Sequence, residues 1–347
     1  MNINISVAMA TFNGEKYIQE QLDSIRQQTL CPYELVVCDD GSTDGTIDMI
    51  KEFSRTVPFS VRLYLNNNNL GFADNFLKCA ALCKGDWIAF SDQDDVWLPG
   101  KLEKIAQVIE NFPGDELVLI GHTSHVANFN LDLTGRKLPD FKKDEYIKRC
   151  SNFGFYDING FSTVFRSTLV SEIDSMLRPK VYRQNSKHPP GHDQWIGMLA
   201  NALGDIAYIS EPLAIWRRHD LSLTPPPHGK ENFTDVVKRS ISVLNPDAYI
   251  YWADLAKESV ESFRKIGEIS MKSEIQKRAF TASENFIKIA RNLRFRAELY
   301  KNHGKIRKIK TLAQMLQLNA YGGAKFHALG WRSFAKDVLV VFGIIGR

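Results

Sequence analysis

The sequence has no long uninterrupted run of apolar residues, and this absence excludes one class of protein. None of its 347 residues falls in a window of the roughly 18 consecutive apolar residues that a membrane-spanning helix requires. The first apolar stretch begins at Ile3 and lacks the basic start and long apolar core of a secretory signal peptide. We therefore expect neither a transmembrane helix nor a signal peptide.

Cysteine is also scarce, and its five positions are odd in number and show no repeated paired spacing. Cys79 and Cys83 fall on one predicted helix with no second pair to complete a metal site or a disulfide framework. A reducing compartment, the cytoplasm, is the simplest interpretation. The five positions are Cys31, Cys38, Cys79, Cys83 and Cys150.

Acidic residues become rare in the last third of the chain. Residues 1–229 carry 22 Lys/Arg against 29 Asp/Glu, whereas residues 230–347 carry 22 against 11. Hydrophobic content of 44% and charged content of 24% are ordinary for a soluble protein. Because Pro225-Pro226-Pro227 precedes the change in charge, we predict one domain at 1–229 and a basic α-helical region at 230–347.

What is present in the first 220 residues is a regular alternation of apolar strands and amphipathic helices. Strands are predicted at 3–10, 35–38, 61–65 and 87–91, each followed by a polar loop and a helix. This order predicts an α/β fold with a mostly parallel sheet flanked by helices, followed by a C-terminal helical extension.

The later pattern is less regular. It predicts strands at 117–129, 155–165 and 213–219, a hairpin at 131–135, and helices at 169–177 and 192–203, with a basic loop at 178–190.

Polar clusters follow three of the predicted parallel strands, at Thr11 to Glu15, at Asp39-Asp40 and at Asp92 to Asp95. Ligands of such sheets bind beyond the carboxyl ends of the strands, so we expect the clusters to converge. Asp92 and Asp94 point the same way in an extended chain. Two carboxylates about 5 Å apart at an effective dielectric near 20 repel by roughly 3 kcal/mol. A divalent Mg²⁺ or Mn²⁺ relieves this repulsion, although Asp94 and Asp95 could instead cap the helix that begins near Pro99.

Four motifs occur in a fixed order along the chain: Thr11-Phe12-Asn13, Asp39 to Thr46, Asn75 after Gly71, and Ser91 to Trp97. This ordered set resembles family 2 glycosyltransferases, and within them bacterial rhamnosyltransferases. The resemblance covers about residues 3–220. It implies a GT-A fold, a nucleotide-sugar donor and inversion at the anomeric carbon.

Position by position, the resemblance implies roles for individual residues. It places Asp39 on the ring nitrogen of the base and Asp92 near the ribose. Asp94 is then the direct metal ligand and His219 completes the metal shell. Asp193 falls at the catalytic base, although His192 replaces the acidic neighbour that many members have. The further donor-binding residues are Thr11, Phe12, Asn13, Glu15 and Asn75, and the acceptor-side residues are His192 and Trp195.

The chemistry of sugar transfer is consistent with these roles, but each has a structural alternative. A divalent ion offsets charge on the leaving phosphate, and a carboxylate from another segment takes the proton of the acceptor hydroxyl. Asp193 could instead cap its helix, and Glu15 could be a first-turn helix acid. His219 could be a strand-end histidine, Asn75 could bond only to neighbouring backbone, and Trp195 could belong to the core.

The resulting expectation is an inverting, metal-dependent enzyme that uses dTDP-rhamnose or a UDP-sugar. Its acceptor would be a glycan or lipid-linked glycan of bacterial O-antigen or capsule synthesis, reached at the inner face of the cytoplasmic membrane. One rival is a magnesium phosphohydrolase of the haloacid type, which the string Asp92 to Val96 resembles locally. A second rival is a catalytically silent sugar-nucleotide-binding subunit. The hydrolase is disfavoured because its motif belongs on the first strand, and Gly204-Asp205 lacks the later acid of that family.

The segment 286–310 concentrates basic residues beside aromatic and aliphatic ones, with Glu298 as its single acid. This pattern suits an anionic membrane surface, and a solvated helical face packed on the first domain is the alternative. Contact between copies through these helices is a further expectation, and nothing in the sequence supports nucleic-acid binding. The basic residues are Lys288, Arg291, Arg294, Arg296, Lys301, Lys305, Arg307, Lys308 and Lys310.

Overall fold

The computed structural model of the protein describes residues 3–155, 158–181, 190–220, 245–301 and 304–345. The chain separates into two compact units, one of residues 1–149, 157–175 and 191–224, the other of 150–156, 176–190 and 225–347. The predicted boundary at 229, with Pro225-Pro226-Pro227, lies outside the described residues and stays a prediction. Most of the predicted basic loop at 178–190 also lies outside them.

The first unit is built on one sheet, whose ten described strands run in the order β3-β2-β1-β4-β9-β6-β10-β5, with β7 paired to β6 and β8 paired to β10. The strands are β1 Ile5–Thr11, β2 Glu34–Asp39, β3 Ser60–Leu65, β4 Trp87–Ser91, β5 Val96–Trp97, β6 Leu117–Ala127, β7 Leu133–Lys137, β8 Glu145–Ile147, β9 Thr163–Arg166 and β10 Asp205–Arg217.

Strand direction divides this sheet into two halves. Strands β3, β2, β1 and β4 are all parallel, so their carboxyl ends lie along one edge. Beyond β4 the pairing is mixed, because β9 is antiparallel to both β4 and β6 while β6 and β10 are parallel. The expected α/β fold, a central sheet with flanking helices, is confirmed, and antiparallel pairing enters only in its second half.

Six described helices accompany the sheet, and each of them buries apolar side chains. In the first helix, for example, Ile18, Leu22 and Ile25 are fully buried, and each such side chain contributes about 1.5 to 3 kcal/mol by leaving water. The helices are α1 Ile18–Arg26, α2 Thr46–Ser54, α3 Phe72–Ala81, α4 Lys101–Asn111, α5 Thr168–Ser171 and α6 His192–Leu203.

Two predicted elements are shorter than the sequence pattern suggested. The strand predicted at 155–165 is a 3-10 turn at Gly160–Ser162 followed by β9, because Ser162 and Thr163 both bond back to the carbonyl of Asn159. The helix predicted at 169–177 ends at Ser171 and is followed by a separate 3-10 turn at Ser175–Leu177. Ser171 and Asp174 are poor helix formers, which explains the interruption.

All five cysteines are free thiols. Cys31 is exposed in the segment that precedes β2, whereas Cys38 and Cys79 are buried. The Cys79 Sγ lies 3.1 Å from the carbonyl oxygen of Val36, inside the sheet layer.

Among the described residues, the second unit contains four α-helices and no strand, which confirms the predicted C-terminal helical region. Phe286 stacks on Phe263 at 5.3 Å between ring centroids and meets Phe326 edge-on, which gives the unit its own aromatic core. No described helix of the chain is long and apolar enough to span a bilayer. The helices are α7 Pro246–Ile269, α8 Ser273–Lys301, α9 Lys305–Gln317 and α10 Trp331–Val341.

Candidate active site

The loops that follow β1 and β2 interlock through side-chain hydrogen bonds. The hydroxyl of Thr11 donates to Asp39 Oδ2 at 2.7 Å. Asn13 has a positive φ of 48°, its N–H donates to Ser42 Oγ at 2.8 Å, and its Oδ1 accepts from the N–H of Thr43 at 2.9 Å. The two loops therefore form one rigid polar edge.

Asp39 is fully buried and uses both carboxylate oxygens within the chain. Oδ1 accepts from the N–H groups of Gly41 and Ser42, and Oδ2 accepts from the hydroxyls of Thr11 and Ser42. The geometry shows a loop-organising role, and contact with a base stays a prediction.

Asn75 and Glu15 are also engaged in the framework. The Asn75 amide donates to the carbonyl of Cys38 at 2.8 Å and accepts from the side-chain amide of Asn66 at 2.8 Å, so its bonds are not confined to neighbouring backbone. Glu15 accepts from the N–H of Gly45 at 3.0 Å and so fastens the first loop to the second. Their donor-binding roles stay predictions.

Gln93 joins the acidic loop after β4 to the loop after β1. Its amide accepts from the N–H of Phe12 and donates to the carbonyl of Phe12, each at 3.0 Å. Gly14 lies so close that an added Cβ would stand 2.4 Å from Gln93 Oε1. The ring of Phe12 stays 49% exposed, so it is free to contact a ligand.

Asp94 and His219 form the most direct contact between distant parts of the candidate site. His219 Nε2 lies 2.8 Å from Asp94 Oδ2, and the imidazole stacks on Tyr17 at 4.5 Å. Arg217 binds the acidic loop that carries Asp94. Its backbone N–H donates to Asp95 Oδ1 at 3.0 Å, and its Nε donates to the carbonyl of Asp94 at 2.8 Å. The end of β10 and the acidic loop are thereby fixed to each other.

The electrostatics of the acidic loop are unfavourable without a cation. Burial, with repulsion from Asp94 and Asp193, raises the pKa of Asp92 to about 8. Burial, followed by the charges of Asp94 and Asp92, raises the pKa of Asp95 well above its ordinary value. In the described part of the chain, Asp95 Oδ2 is also buried without a hydrogen-bond donor. Such a cluster favours a proton or a bound cation.

Lys101, at the start of α4, is a fully buried cation beneath this loop. Its ammonium donates to the carbonyl of Phe161 at 3.1 Å and lies 3.8 Å from the ring centroid of Trp97. Burial lowers the pKa of Lys101 to about 7, although Asp95 and Asp92 oppose the shift. Trp97 is 2% exposed and lies in the core.

Asp193 lies in the first turn of α6 and interacts electrostatically with Asp92 of the acidic loop. Burial raises its pKa, although the N–H groups of Gln194 and Gly160 donate to its carboxylate. Because Asp193 also contributes to the raised pKa of Asp92, the two carboxylates are electrostatic neighbours. The helix cap is Gly191, so Asp193 is a first-turn acid.

His192 and Trp195 lie in the core. His192 is 5% exposed, stacks on Phe76 at 4.1 Å and meets Phe90 edge-on, and Trp195 is 1% exposed. The acceptor-side role expected for both therefore has no exposed ring to support it, and the core alternative fits Trp195 better.

The donor set fits a hard divalent cation only in part. Asp94 Oδ2 and His219 Nε2 lie 2.8 Å from each other, and the charge of the neighbouring Asp92 is disfavoured. No group of three or more His, Cys, Asp or Glu side chains in metal-binding arrangement occurs among the described residues. Remaining ligands would come from elsewhere, and diphosphate oxygens suit Mg²⁺ and Mn²⁺.

Sequence reasoning missed Gln93, Lys101 and Arg217. Gln93 and Arg217 act through backbone groups more than 80 positions away along the chain, which no local periodicity reveals. Lys101 lies in an amphipathic helix where a lysine ordinarily faces water. Its spacing directly after the acidic loop was the one available signal.

Comparison with known proteins finds a family model and relatives that match the first unit. Residues 6–173 match the model described as glycosyl transferase family 2. A Bacillus subtilis protein described as a glycosyltransferase, EpsE, is 35% identical over 185 residues, which cover 50% of this chain and 66% of that protein. An uncharacterized glycosyltransferase of Haemophilus influenzae is 27% identical over 62% of this chain and 65% of its own length. The chain thus spans less than two thirds of these relatives.

Solved structures show the same fold. S. aureus TarS residues 1–349 in complex with UDP align with a TM-score of 0.54 over 92% of this chain and 93% of that chain, at 17% identity. The corresponding complex with UDP-GlcNAc aligns with a TM-score of 0.51 over 89% of each chain, at 18% identity.

Proposed function

We propose that this chain, whose residues 6–173 match the model of glycosyl transferase family 2, is an inverting, metal-dependent enzyme that transfers a sugar from a nucleoside-diphosphate donor. One observation carries the proposal: Asp94 contacts His219 at 2.8 Å, and the neighbouring Asp92 is repelled by both Asp94 and Asp193. These are the side chains to which the proposal gives the metal, the donor and the proton transfer.

We assign the cation to Asp94 and His219. A bound Mg²⁺ or Mn²⁺ would act as a Lewis acid toward the leaving diphosphate. Arg217, two residues before His219, fixes the end of β10 to the loop that carries Asp94. Its Nε donates to the backbone carbonyl of Asp94, and its backbone N–H donates to the side chain of Asp95. Asp92 is proposed to face the donor's ribose.

Asp193 is proposed as the base that takes the proton of the acceptor hydroxyl. Its raised pKa makes it a stronger proton acceptor than an exposed aspartate, once it is ionised. It comes from α6 and not from the loop that carries the metal-binding acid. Attack from the side opposite the leaving group, and hence inversion, requires such a separate origin.

The donor is proposed to be a pyrimidine nucleotide sugar. Exposed Phe12 and the polar groups of Thr11, Asn13 and Glu15 form the edge against which the nucleoside would lie. TarS has been solved with UDP and with UDP-GlcNAc, which favours a UDP-sugar over dTDP-rhamnose. The acceptor is proposed to be a glycan or lipid-linked glycan of surface polysaccharide synthesis, such as O-antigen or capsule. It would be reached from the cytoplasm at the membrane surface.

The test is release of nucleoside diphosphate from a panel containing UDP-sugars and dTDP-rhamnose, with and without chelator. Asp193→Asn should lower turnover at least 100-fold and leave UDP affinity within about threefold, since removal of a general base affects the chemical step. Asp48→Asn is the matched control, an exposed first-turn acid of α2 that should keep full activity. Chelator-insensitive turnover would contradict the metal assignment.

The same experiment separates the two rivals. A silent sugar-nucleotide-binding subunit binds UDP but releases no product with any donor or acceptor. A haloacid-type hydrolase forms a covalent aspartyl phosphate at Asp92, which mass spectrometry detects. The place of Asp92 after β4, the fourth strand along the chain, already disfavours the hydrolase.

A further inference from the structure

Helix α9 carries two apolar stripes, and one of them faces water. Its inner side buries Thr311 and Met315 within the second unit. The other side exposes Ile306, Ile309, Ala313 and Leu316, and Ile306 is 74% exposed. A spacing of three, four and three residues places these four side chains in one row along the helix. An isolated exposed isoleucine is ordinary, but a continuous row is not.

Within residues 304–345, which include this row, the exposed charged side chains are all positive. Residues 304–345 contain seven Lys/Arg and a single acid, Asp337. Asp337 is fully buried, where it accepts hydrogen bonds from Arg296, Tyr300 and Tyr321. This stretch therefore presents no carboxylate side chain to solvent. Basic residues stand on both sides of the row, with Lys305 on one side and Arg307 and Lys310 on the other.

The end of α10 extends the apolar surface. Phe342, just after the helix, is 57% exposed, and its ring centroid lies 5.5 Å from the ammonium of Lys305 at the start of α9. Ile344 is exposed next to it. A lysine over an aromatic ring, beside exposed isoleucines, is an arrangement suited to the boundary between headgroups and acyl chains.

We propose that this surface, consisting of the outer face of α9 with Phe342 and Ile344, docks the protein on a bilayer that contains anionic lipids. The isoleucines and Phe342 enter the headgroup region, and the flanking basic residues pair with lipid phosphates. The inference gives the membrane contact of the proposed function a defined surface. It is nevertheless tested without donor or acceptor, so that its failure is distinguishable from failure of the enzymatic proposal.

Charge excludes the simplest alternative occupant, a second copy of the same surface. Two copies joined along α9 would bring like charges together, because the helix has four basic residues and no acid. An anionic lipid surface is complementary in both its charge and its apolar interior.

The experiment is flotation of the full chain with vesicles of phosphatidylcholine alone or mixed with phosphatidylglycerol. The wild type should float with the mixed vesicles, and binding should weaken in high salt. The double variant Ile306→Ser/Ile309→Ser should bind the mixed vesicles at least roughly tenfold more weakly than the wild type. Ile269→Ser, a similarly exposed isoleucine beside Glu268 at the end of α7, is the matched control and should bind like the wild type.

A second variant, Arg307→Gln/Lys310→Gln, keeps the apolar row and should lose the preference for anionic vesicles. An unchanged thermal midpoint verifies folding of each variant. The proposal is overturned if the wild type does not float, if it floats equally with both vesicles, or if the serine variant floats like the wild type. It is also overturned if sedimentation velocity shows that the serine changes dissociate a dimer without affecting flotation.

Discussion

At the scale of single residues, the candidate site concentrates charges that oppose one another. Asp92 and Asp95 are ionised only at a cost, since burial and neighbouring carboxylates raise both of their pKa values. Lys101 offsets part of that cost from beneath the loop. A site of this kind trades stability of the metal-free protein for affinity toward a cation.

Replacing Asp92 by asparagine should stabilise the metal-free protein at alkaline pH. The folded state holds a proton on Asp92 up to about pH 8, whereas the unfolded chain releases it near the ordinary value. Stability therefore falls as pH rises through this window, and Asp92→Asn removes the fall. We expect a gain of about 1 to 2 kcal/mol at pH 8, and none at pH 4, in thermal unfolding with chelator.

Asp44→Asn is the control of opposite sign. Hydrogen bonds from Thr46 and Glu15 lower the pKa of Asp44 despite burial, so its charged form stabilises the fold. That variant should lose stability at pH 8. A loss in both variants would refute the electrostatic account of the acidic loop.

Replacing Lys101 by methionine should damage the acidic loop although Lys101 touches no ligand. Removal of the buried ammonium leaves Asp92 and Asp95 without their cation, and we expect a loss of about 2 to 3 kcal/mol in stability. The pKa of Asp92 should rise further, which shifts the pH dependence of UDP and metal binding toward alkaline pH. Lys104 is a partly exposed neighbour on α4, and Lys104→Met is the control. It should leave the stability and the pH dependence of UDP and metal binding unchanged.

At the scale of elements, the convergence of the strand ends could be predicted from the sequence. The hydrogen bonds that join the loops after those strands could not. Parallel strands β1, β2 and β4 had to deliver Thr11, Asp39 and Asp92 to one edge. The bonds of Gln93 to Phe12 span 81 positions, and they depend on backbone groups that no residue pattern records. Burial of His192 among phenylalanines likewise depends on how α6 packs on α3 and β4.

The link between the loop after β1 and the acidic loop after β4 can be tested at Gly14. An alanine Cβ there would stand 2.4 Å from Gln93 Oε1, so Gly14→Ala should displace the Gln93 amide and detach it from Phe12. We expect UDP affinity to fall about tenfold, with less than about 1 kcal/mol lost in stability, because the clash is with the end of a long side chain. Isothermal titration and thermal unfolding measure the two effects.

Gly100→Ala is the matched control, since nothing lies within 4 Å of a Cβ at that position. Equal loss of UDP affinity in both variants would show that the Gln93 link does not shape the donor edge.

At the scale of the whole molecule, two units each have a core of their own. The first is built around the sheet, with fully buried members such as Val7 and Leu35, and the second around Phe263, Phe286 and Phe326. The charge contrast between the halves of the chain was visible in the sequence. The assignment of residues 150–156 to the second unit was not, because it depends on contacts such as Gly154 with Phe326.

Calorimetry of the full chain should accordingly resolve two transitions. UDP with divalent metal should raise the midpoint of one only, because a ligand stabilises the unit that binds it. Asp337→Asn should lower the free energy of unfolding of the second unit by about 3 kcal/mol, since it leaves the buried guanidinium of Arg296 without its charged partner. A single transition moved by both changes would show that the units unfold as one.

The exposure of Cys31 offers a spectroscopic handle. Its thiol lies before β2, at the end of that strand remote from the polar edge, while burial raises the pKa of the Cys79 and Cys83 thiols and suppresses their alkylation. A maleimide dye used in limiting amount should therefore attach there first. Fluorescence from that position would report tumbling and vesicle encounter without a label near the nucleotide.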